Sequence, residues 1–299
     1  MASGKKVTIV THNGSFHADD IFAVATLLLV LEKDNEVTVL RSRDMEVINS
    51  AEYVVDVGGV YDESINRFDH HQHGGAGVRK NTIPYASFGL VWKKYGEALC
   101  GDKNIVEKID QVLVQPIDAG DNAFQLVETN VKGIYPYDIG LFFNTFTPGI
   151  KKGLADIDKI FMEPVSLART ILLKEISKRQ DLVEIGLIVT KIYEESKNKK
   201  IIVLDKYYPV REFLSKFSEP LFVVFPREDG LWAIKTIRDN ANTFVDRKSL
   251  PKSWGGYRDS ELEKITGVSG AVICHRDAYL AVAKTKEGVL KMAEIALNS

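Results

Sequence analysis

Two cysteines in 299 residues, Cys100 and Cys274, are too few and too far apart for a disulfide framework or a cysteine zinc knuckle. Their scarcity fits a reducing, cytoplasmic setting. Long apolar runs are equally scarce. The longest, Ile21 to Leu31, falls short of the ~20 residues that span a bilayer. The start, MASGKKVTIV, passes from two lysines into a strand without the apolar stretch of a secretory signal. The chain has no low-complexity tract, no internal repeat, and no RNP-like aromatic signature or basic tract that would require long nucleic acid. A hydrophobic content of 45% and a charged content of 27% exclude a disordered or fibrous class. The length allows two domains at ~100–200 residues each.

Net charge is only −2, but it is divided. Residues 1–150 hold 13 Lys+Arg against 20 Asp+Glu, and residues 151–299 hold 26 against 21. An acidic half suits cations and a basic half suits an anion, although uneven surface charge alone gives the same count.

The first half alternates strand and helix. Val7 to Val10 is a β-branched run, and Asp19 to Leu31 is apolar on nearly all sides, as a buried helix is. Val37 to Leu40 and Tyr53 to Val57 read as strands, and Phe68 as a short extended piece. Pro84 opens a helix through Tyr95, and Ile105, Ile109, Val112 and Leu113 make a helical stripe toward Pro116. The succession predicts an α/β fold with a mostly parallel sheet over 1–150. The pattern loosens from Pro148 to Pro164, a junction, and a helix follows from about Ser166 to Lys197. Strands at Ile201–Leu204, Leu221–Phe225, Leu231–Ile237, Ala271–Cys274 and Tyr279–Val282, then a helix from Lys286 to Leu297, predict linker helices and a smaller α+β domain over 151–299.

Five of the six histidines lie between positions 12 and 73. In open α/β sheets, ligands bind beyond the carboxyl ends of the strands. His12 follows the first strand, with His17 and Asp19 just beyond it. Asp56 stands in YVVDVGG near the end of another strand, Asp69, His70 and His71 close the Phe68 piece, and Asp118 in PIDAGDN follows the next helix stop. Each has a structural reading: Asp19 and Asp20 as a helix cap, Asp118 as an Asx-turn, a histidine as a hydrogen-bonded loop residue. A carboxylate inside an apolar strand, as at Asp56, is harder to explain without a partner. Together they predict a metal centre. Imidazole and carboxylate without sulfur favour Mn²⁺, with Mg²⁺, Co²⁺ or Zn²⁺ as alternatives, and the number of candidates implies two ions.

The order HNGSFHADD, VVDVGG, DHH, IDAGD resembles the motifs of the DHH phosphoesterase superfamily. More narrowly, THNGSFH, FDHHQ, LPKSWGGYRDSEL and AVAKTKEGVLKMAEIAL are similar to the melanocyte-proliferating-gene family, over nearly the whole chain. The resemblance implies a DHH-type catalytic domain and a metal-dependent phosphodiesterase, acting as a 3′-5′ exonuclease on RNA or short oligonucleotides by hydroxide attack supported by two metals. It would put His12, His17 and Asp56 on one metal and Asp19, Asp56, His70 and Asp118 on the other. His71 would face the scissile phosphate as a catalytic residue, and Asp69 would orient a histidine. Two departures stand out. Most of the superfamily has aspartate where His17 stands, and the narrower family commonly has Cys and Glu at the positions of Ala18 and Asp20.

The C-terminal half lacks the glycine triplet that many exonuclease relatives use to grip nucleotides. His275, Arg276, Arg247, Arg238 and Lys284 are candidate phosphate contacts there, because arginine's planar fork suits phosphate. HGGAGVRK, residues 73–80, is read as a glycine turn rather than a phosphate loop. Two further readings remain open: a hydrolase of pyrophosphate or of a small nucleotide such as a cyclic dinucleotide, and a metal-stabilised interaction protein without turnover.

Overall fold

In the computed structural model, which describes residues 4–149, 157–240 and 245–299, the alternating first half folds as the hydrophobic pattern directs. Strand β1 (Lys5–Thr11) leads through a short loop into α1 (Ala18–Leu31), buried from Ala18 to Leu28. β2 (Asn35–Arg41), α2 (Met45–Ser50), β3 (Tyr53–Val55), β4 (Tyr61–Asp62) and β5 (Arg67–Phe68) follow. The sheet order is β2-β1-β3-β5-β4, parallel throughout except for β4, which turns back antiparallel on β5. Because β2 pairs parallel to β1, α1 crosses back over the sheet and packs against β1, β2 and β3. Four helices extend this layer: α3 (Ser87–Cys100), α4 (Lys103–Ile109), α5 (Gln115–Asp121) and α6 (Ile139–Asn144). Phe22, Phe88, Trp92 and Phe143 are fully buried among them.

The expected helix start at Pro84 lies elsewhere. Pro84 sits in an extended bridge to Val78, and the helix begins at Ser87. Pro restricts its predecessor to extended backbone, which suits the bridge better than a helix entry. The expected junction is corrected too. Its residues 150–156 lie outside the described residues, but from Ile157 the chain is already helical, and α7 runs Ile157–Glu195 through Pro164. Phe161, Val165, Ala168, Leu172 and Ile176 are buried along one stripe, which offsets the hydrogen bond that proline removes. The two compact units divide within this helix, at Gln180/Asp181, rather than at 150.

The second unit carries β6 (Ile201–Val203), α8 (Arg211–Leu214), β7 (Phe222–Pro226), β8 (Trp232–Thr236), α9 (Asp259–Thr266), β9 (Ala271–Cys274), β10 (Leu280–Ala283) and α10 (Lys286–Asn298). Its sheet runs β6-β7-β8-β10-β9, with only the β6–β7 pair parallel. That is the α+β arrangement expected. Cys100 and Cys274 are buried, one in each unit, and burial pushes both thiols up to about 11. Among the described residues, no helix is long and apolar enough to cross a membrane.

Candidate metal centre

Three of the four parallel strands, β1, β3 and β5, are followed at the same sheet edge by a ligand-type side chain, while β2 ends at Arg41. β1 ends at Thr11, and His12 follows, buried, with its Nδ1 3.0 Å from the Asn13 carbonyl. Its Nε2 lies 3.3 Å from Asp56 Oδ2 and 3.4 Å from Asp20 Oδ2. β3 ends at Val55, and Asp56 then takes φ 56°, the left-handed region that a non-glycine residue enters at a cost. The kink breaks the strand's alternation, while the Asp56 amide still donates to Phe68 O (3.1 Å). β5 delivers Asp69, His70 and His71. His70 Nε2 lies 3.0 Å from Asp121 Oδ2 and 3.3 Å from Asp56 Oδ1.

α1 brings the rest. His17 precedes its first turn, and its backbone N–H donates to Asp20 Oδ1 (3.0 Å). Asp19 is buried and accepts from the Ser87 and Phe88 amides (2.9 and 2.7 Å) at the start of α3, so it caps that helix as well as facing the cluster. Ligand atoms converge in three groups, each within 4.8 Å: His12, His17 and Asp56; Asp19, Asp56, His70 and Asp121; and Asp56, His70 and His71. Asp56 is common to all three.

Burial sets the electrostatics. Desolvation, then Asp56, Asp121 and Asp118, push Asp19 well above the ordinary carboxylate range. Burial pushes Asp20 up to about 7 against the pull of His12 and Arg41. For Asp56 burial acts upward too, but the His12 and His70 imidazoles outweigh it and hold it well below the usual range. Burial opposes the His70 cation, yet Asp121 and Asp56 push it up to about 11. His17 is lowered by burial and by His12, which favours the neutral, lone-pair form that binds metals. His12 Nε2, Asp20 Oδ2, Asp56 Oδ2 and His70 Nε2 are buried, facing one another or Asp121 across 3.0–3.4 Å without a well-formed hydrogen bond. Imidazole nitrogens and carboxylate oxygens converging at such short range fit a divalent cation, which would replace the proton that the carboxylates hold on His70, and the absence of sulfur fits a hard or borderline one.

Asp118 is placed elsewhere. It is fully buried, accepts from the Gly89 amide (3.0 Å), and pairs with Arg79 Nη1 (2.7 Å). Arg79 also donates from Nη2 to Asp110 Oδ1 (2.9 Å) and lies over the Tyr85 ring. Burial pushes Asp118 up to about 7 even so, with Arg79 pulling it down. Asp121, three residues on and so about 4.5 Å further along α5, reaches His70 instead. It belongs to the same IDAGD stretch, so the signal was present. Asp20 is likewise a member of the cluster, where the sequence pattern suggests only a helix cap.

Arg79 is the penultimate residue of HGGAGVRK, in which Gly74, Gly75 and Gly77 have positive φ, and its guanidinium is held buried by Asp110 and Asp118. Gly89 is obligatory beside this pair. A Cβ there would lie 1.9 Å from Asp118 Oδ2 and 2.7 Å from Arg79 Nη2. Gly89→Ala is therefore expected to cost ~3–5 kcal/mol, the scale of a broken buried ion pair. Urea melts of the two proteins would measure it, and a cost under ~1 kcal/mol would show that the pair can move.

Asp69 and His71 form a separate arrangement. Asp69 Oδ1 accepts from the His71 backbone N–H (3.1 Å) and contacts His71 Nδ1 (2.8 Å), while Oδ2 accepts from Gly59 N–H (2.5 Å). The His71 side chain is 61% exposed beside the cluster, its Nδ1 3.4 Å from Asp56 Oδ1.

The C-terminal candidates do not gather. Arg247 donates to the carbonyls of Ser215 (2.8 Å), Pro220 (3.1 Å) and Phe217, so it ties down a loop of its own unit rather than offering a fork to phosphate. Arg238 is half-buried where the backbone bridges to Asp246. His275 and Arg276 occupy the turn between β9 and β10, where His275 Nδ1 accepts from Asp277 N–H (3.2 Å) and the Arg276 side chain is 84% exposed. Lys284 follows β10 at the opposite end of that hairpin, its amide on Gly270 O.

Comparison with known proteins gives a consistent result over the full length. The model of the uncharacterised protein family UPF0160, MYG1_exonuc, matches residues 8–297. The chain is 30% identical to the MYG1 protein of Dictyostelium discoideum, across 98% of this chain and 97% of that one. It is 27% identical to the human MYG1 exonuclease (97% and 85%) and 28% identical to a Chlamydia pneumoniae MYG1 protein (97% of each). The chain belongs to the MYG1 family.

Proposed function

We propose that the N-terminal unit is a divalent-metal-dependent phosphodiesterase, acting as an exonuclease on RNA or short oligonucleotides. The observation that carries the reading is that Asp56 is shared by every converging ligand group. His12, His17 and Asp56 would hold one cation, and Asp19, Asp56, His70 and Asp121 the other, with Mn²⁺ favoured by the carboxylate share. The order of these residues along the chain supports a DHH-type site, and relatives that carry the name exonuclease support the reaction class.

A pair of divalent ions supplies Lewis acidity toward the phosphoryl oxygens and lowers the pKa of the attacking water. The chain's own residues do the rest. Asp69 engages His71 Nδ1 and is itself fixed by Gly59, so His71 presents Nε2 outward, where its doubly protonated ring would donate to a phosphoryl or leaving oxygen. Neutral His17 offers a lone pair at the exposed side of the cluster. Asp19, held by two α3 amides, enters without needing to reorganise. In the second unit, exposed Arg276 and its neighbour His275 are suited to further phosphate contacts.

Manganese-loaded protein should release mononucleotides from a short end-labelled RNA and lose that activity in EDTA. Hydrolysis of pyrophosphate or a cyclic dinucleotide with none of RNA would replace this substrate. No hydrolysis of any of the three would favour a non-catalytic metal protein. For the role of His71, the His71→Ala variant is expected to keep wild-type manganese content and lose about 10²-fold or more in kcat. Loss of one manganese per chain would instead make His71 a ligand.

A further inference from the structure

Beside the cluster, within the N-terminal unit, lies a cavity of about 980 Å³. His17, Asp19 and Asp121, all members of the converging ligand groups, form part of its wall. The rest is of different chemistry. Phe16, Ile117, Phe124, Tyr135, Pro136 and Leu141 line it, and no lysine or arginine is among its described lining residues. Tyr135 is 75% exposed, and Leu126, Val127 and Leu141, also in the wall, are about half exposed. Exposed apolar side chains gathered on one concavity mark a binding surface.

The chain builds this wall deliberately. α5 ends at Asp121, Ala123 takes φ 51°, and the Phe124 amide donates back to Ala119 O (2.7 Å), which stops the helix three residues before the aromatic side chain. Across the cavity, Asp138 caps α6 by accepting from Leu141 N–H (2.9 Å), fixing the segment that carries Ile139 and Leu141.

We propose that this cavity is a nucleobase pocket, taking the unpaired terminal base of the strand whose phosphate is held at the cluster. The inference rests on the phosphodiesterase reading above. With no lysine or arginine among its described lining residues the cavity offers a phosphate no fixed cationic side chain of the chain, whereas an uncharged planar ring can lie against Phe124 and Tyr135. Its volume is at the upper end of the usual small-ligand range, ample for a base with its ribose. The residues it shares with the cluster set an occupant within one nucleotide of the phosphate. A base in this cavity cannot remain paired, so the substrate end is single-stranded, and bases are accepted with little sequence preference because stacking is common to all of them.

Calorimetric binding of AMP and of inorganic phosphate to manganese-loaded wild type, Phe124→Ala, Tyr135→Ala and Tyr135→Phe tests this without requiring turnover. AMP is expected to bind at least about tenfold tighter than phosphate to wild type. Tyr135→Ala and Phe124→Ala should lose most of that advantage, with phosphate affinity and manganese content unchanged and Tyr135→Phe close to wild type. Tyr135 is exposed, so its variants are expected to fold even if Phe124→Ala does not. Equal affinities for AMP and phosphate in wild type, or an AMP advantage that survives Tyr135→Ala, would overturn the pocket. RNA hydrolysis that proceeds equally well past an abasic 3′ terminal nucleotide would also overturn it while leaving the phosphodiesterase reading intact. Failure of wild type to hydrolyse RNA, with the AMP results as expected, would overturn that reading and leave the pocket.

Discussion

Asp56→Ala is expected to strip both cations from the protein and to abolish turnover, a larger loss than any other single replacement in the cluster. Losing a partner that merely supports a ligand costs ~10–100-fold in metal affinity. Asp56 instead touches His12, His70 and His71 at 3.3–3.4 Å and contributes to all three ligand groups, so its loss removes an oxygen from both proposed cation positions. The fold should survive the change, because His12 keeps Asp20 and His70 keeps Asp121 as partners, although the backbone at this position stays in the left-handed region at φ 56°. Elemental analysis after manganese loading would read the ion count, and circular dichroism the fold. Retention of two ions per chain with wild-type activity would refute the shared-ligand arrangement.

The second large effect is a contrast between two aspartates of one helix. Asp121→Ala should reduce bound manganese from two to one and remove activity, with little change in thermal stability, because Asp121 is near the surface end of α5 and its partner is His70. Asp118→Ala should do the reverse. It leaves Arg79 buried with Asp110 alone and the Gly89 amide without an acceptor, a loss of ~3–5 kcal/mol for a broken buried pair. Any folded fraction should keep both ions. Paired melting curves and metal analyses separate the two outcomes, and a lost ion in Asp118→Ala with two retained in Asp121→Ala would exchange the roles.

That contrast shows where the sequence stops being informative. IDAGD offers two carboxylates about one turn apart on a helix, and nothing local says which one faces the cluster. The decision is made by Arg79, which lies 39 positions before Asp118 and whose guanidinium claims it. Strand ends were easier to read. The apolar runs Val7–Val10 and Tyr53–Val55 lead to His12 and Asp56 because inner strands of a parallel sheet are buried on both faces, whereas β5 is only Arg67–Phe68 and Asp69 was marked by the two histidines that follow it. In the second unit the Ala271–Cys274 strand and the C-terminal helix lie where their apolar residues indicate.

Proline misled twice. Pro84 and Pro164 both suggested helix boundaries, but Pro84 lies in a bridge and Pro164 lies inside a helix whose buried stripe from Phe161 to Ile176 outweighs it. The stripe was visible in the sequence, and the proline and the glycine-lysine run before it obscured it. Charge counting was weaker still. The excess of basic residues after position 150 includes Arg247, which serves three backbone carbonyls, and Lys284, which stands at the far end of a hairpin from Arg276. Net charge reports composition, and only packing says which cations face solvent.

The two buried cysteines set how this protein meets oxidants. A thiol pushed up to about 11 leaves roughly one molecule in 10⁴ as thiolate at pH 7, and thiolate is the form that peroxides and alkylating reagents attack. The converging ligand groups contain no sulfur. Both native thiols are buried and raised, so a single cysteine introduced on the surface is expected to react with a thiol-directed spectroscopic label ahead of them.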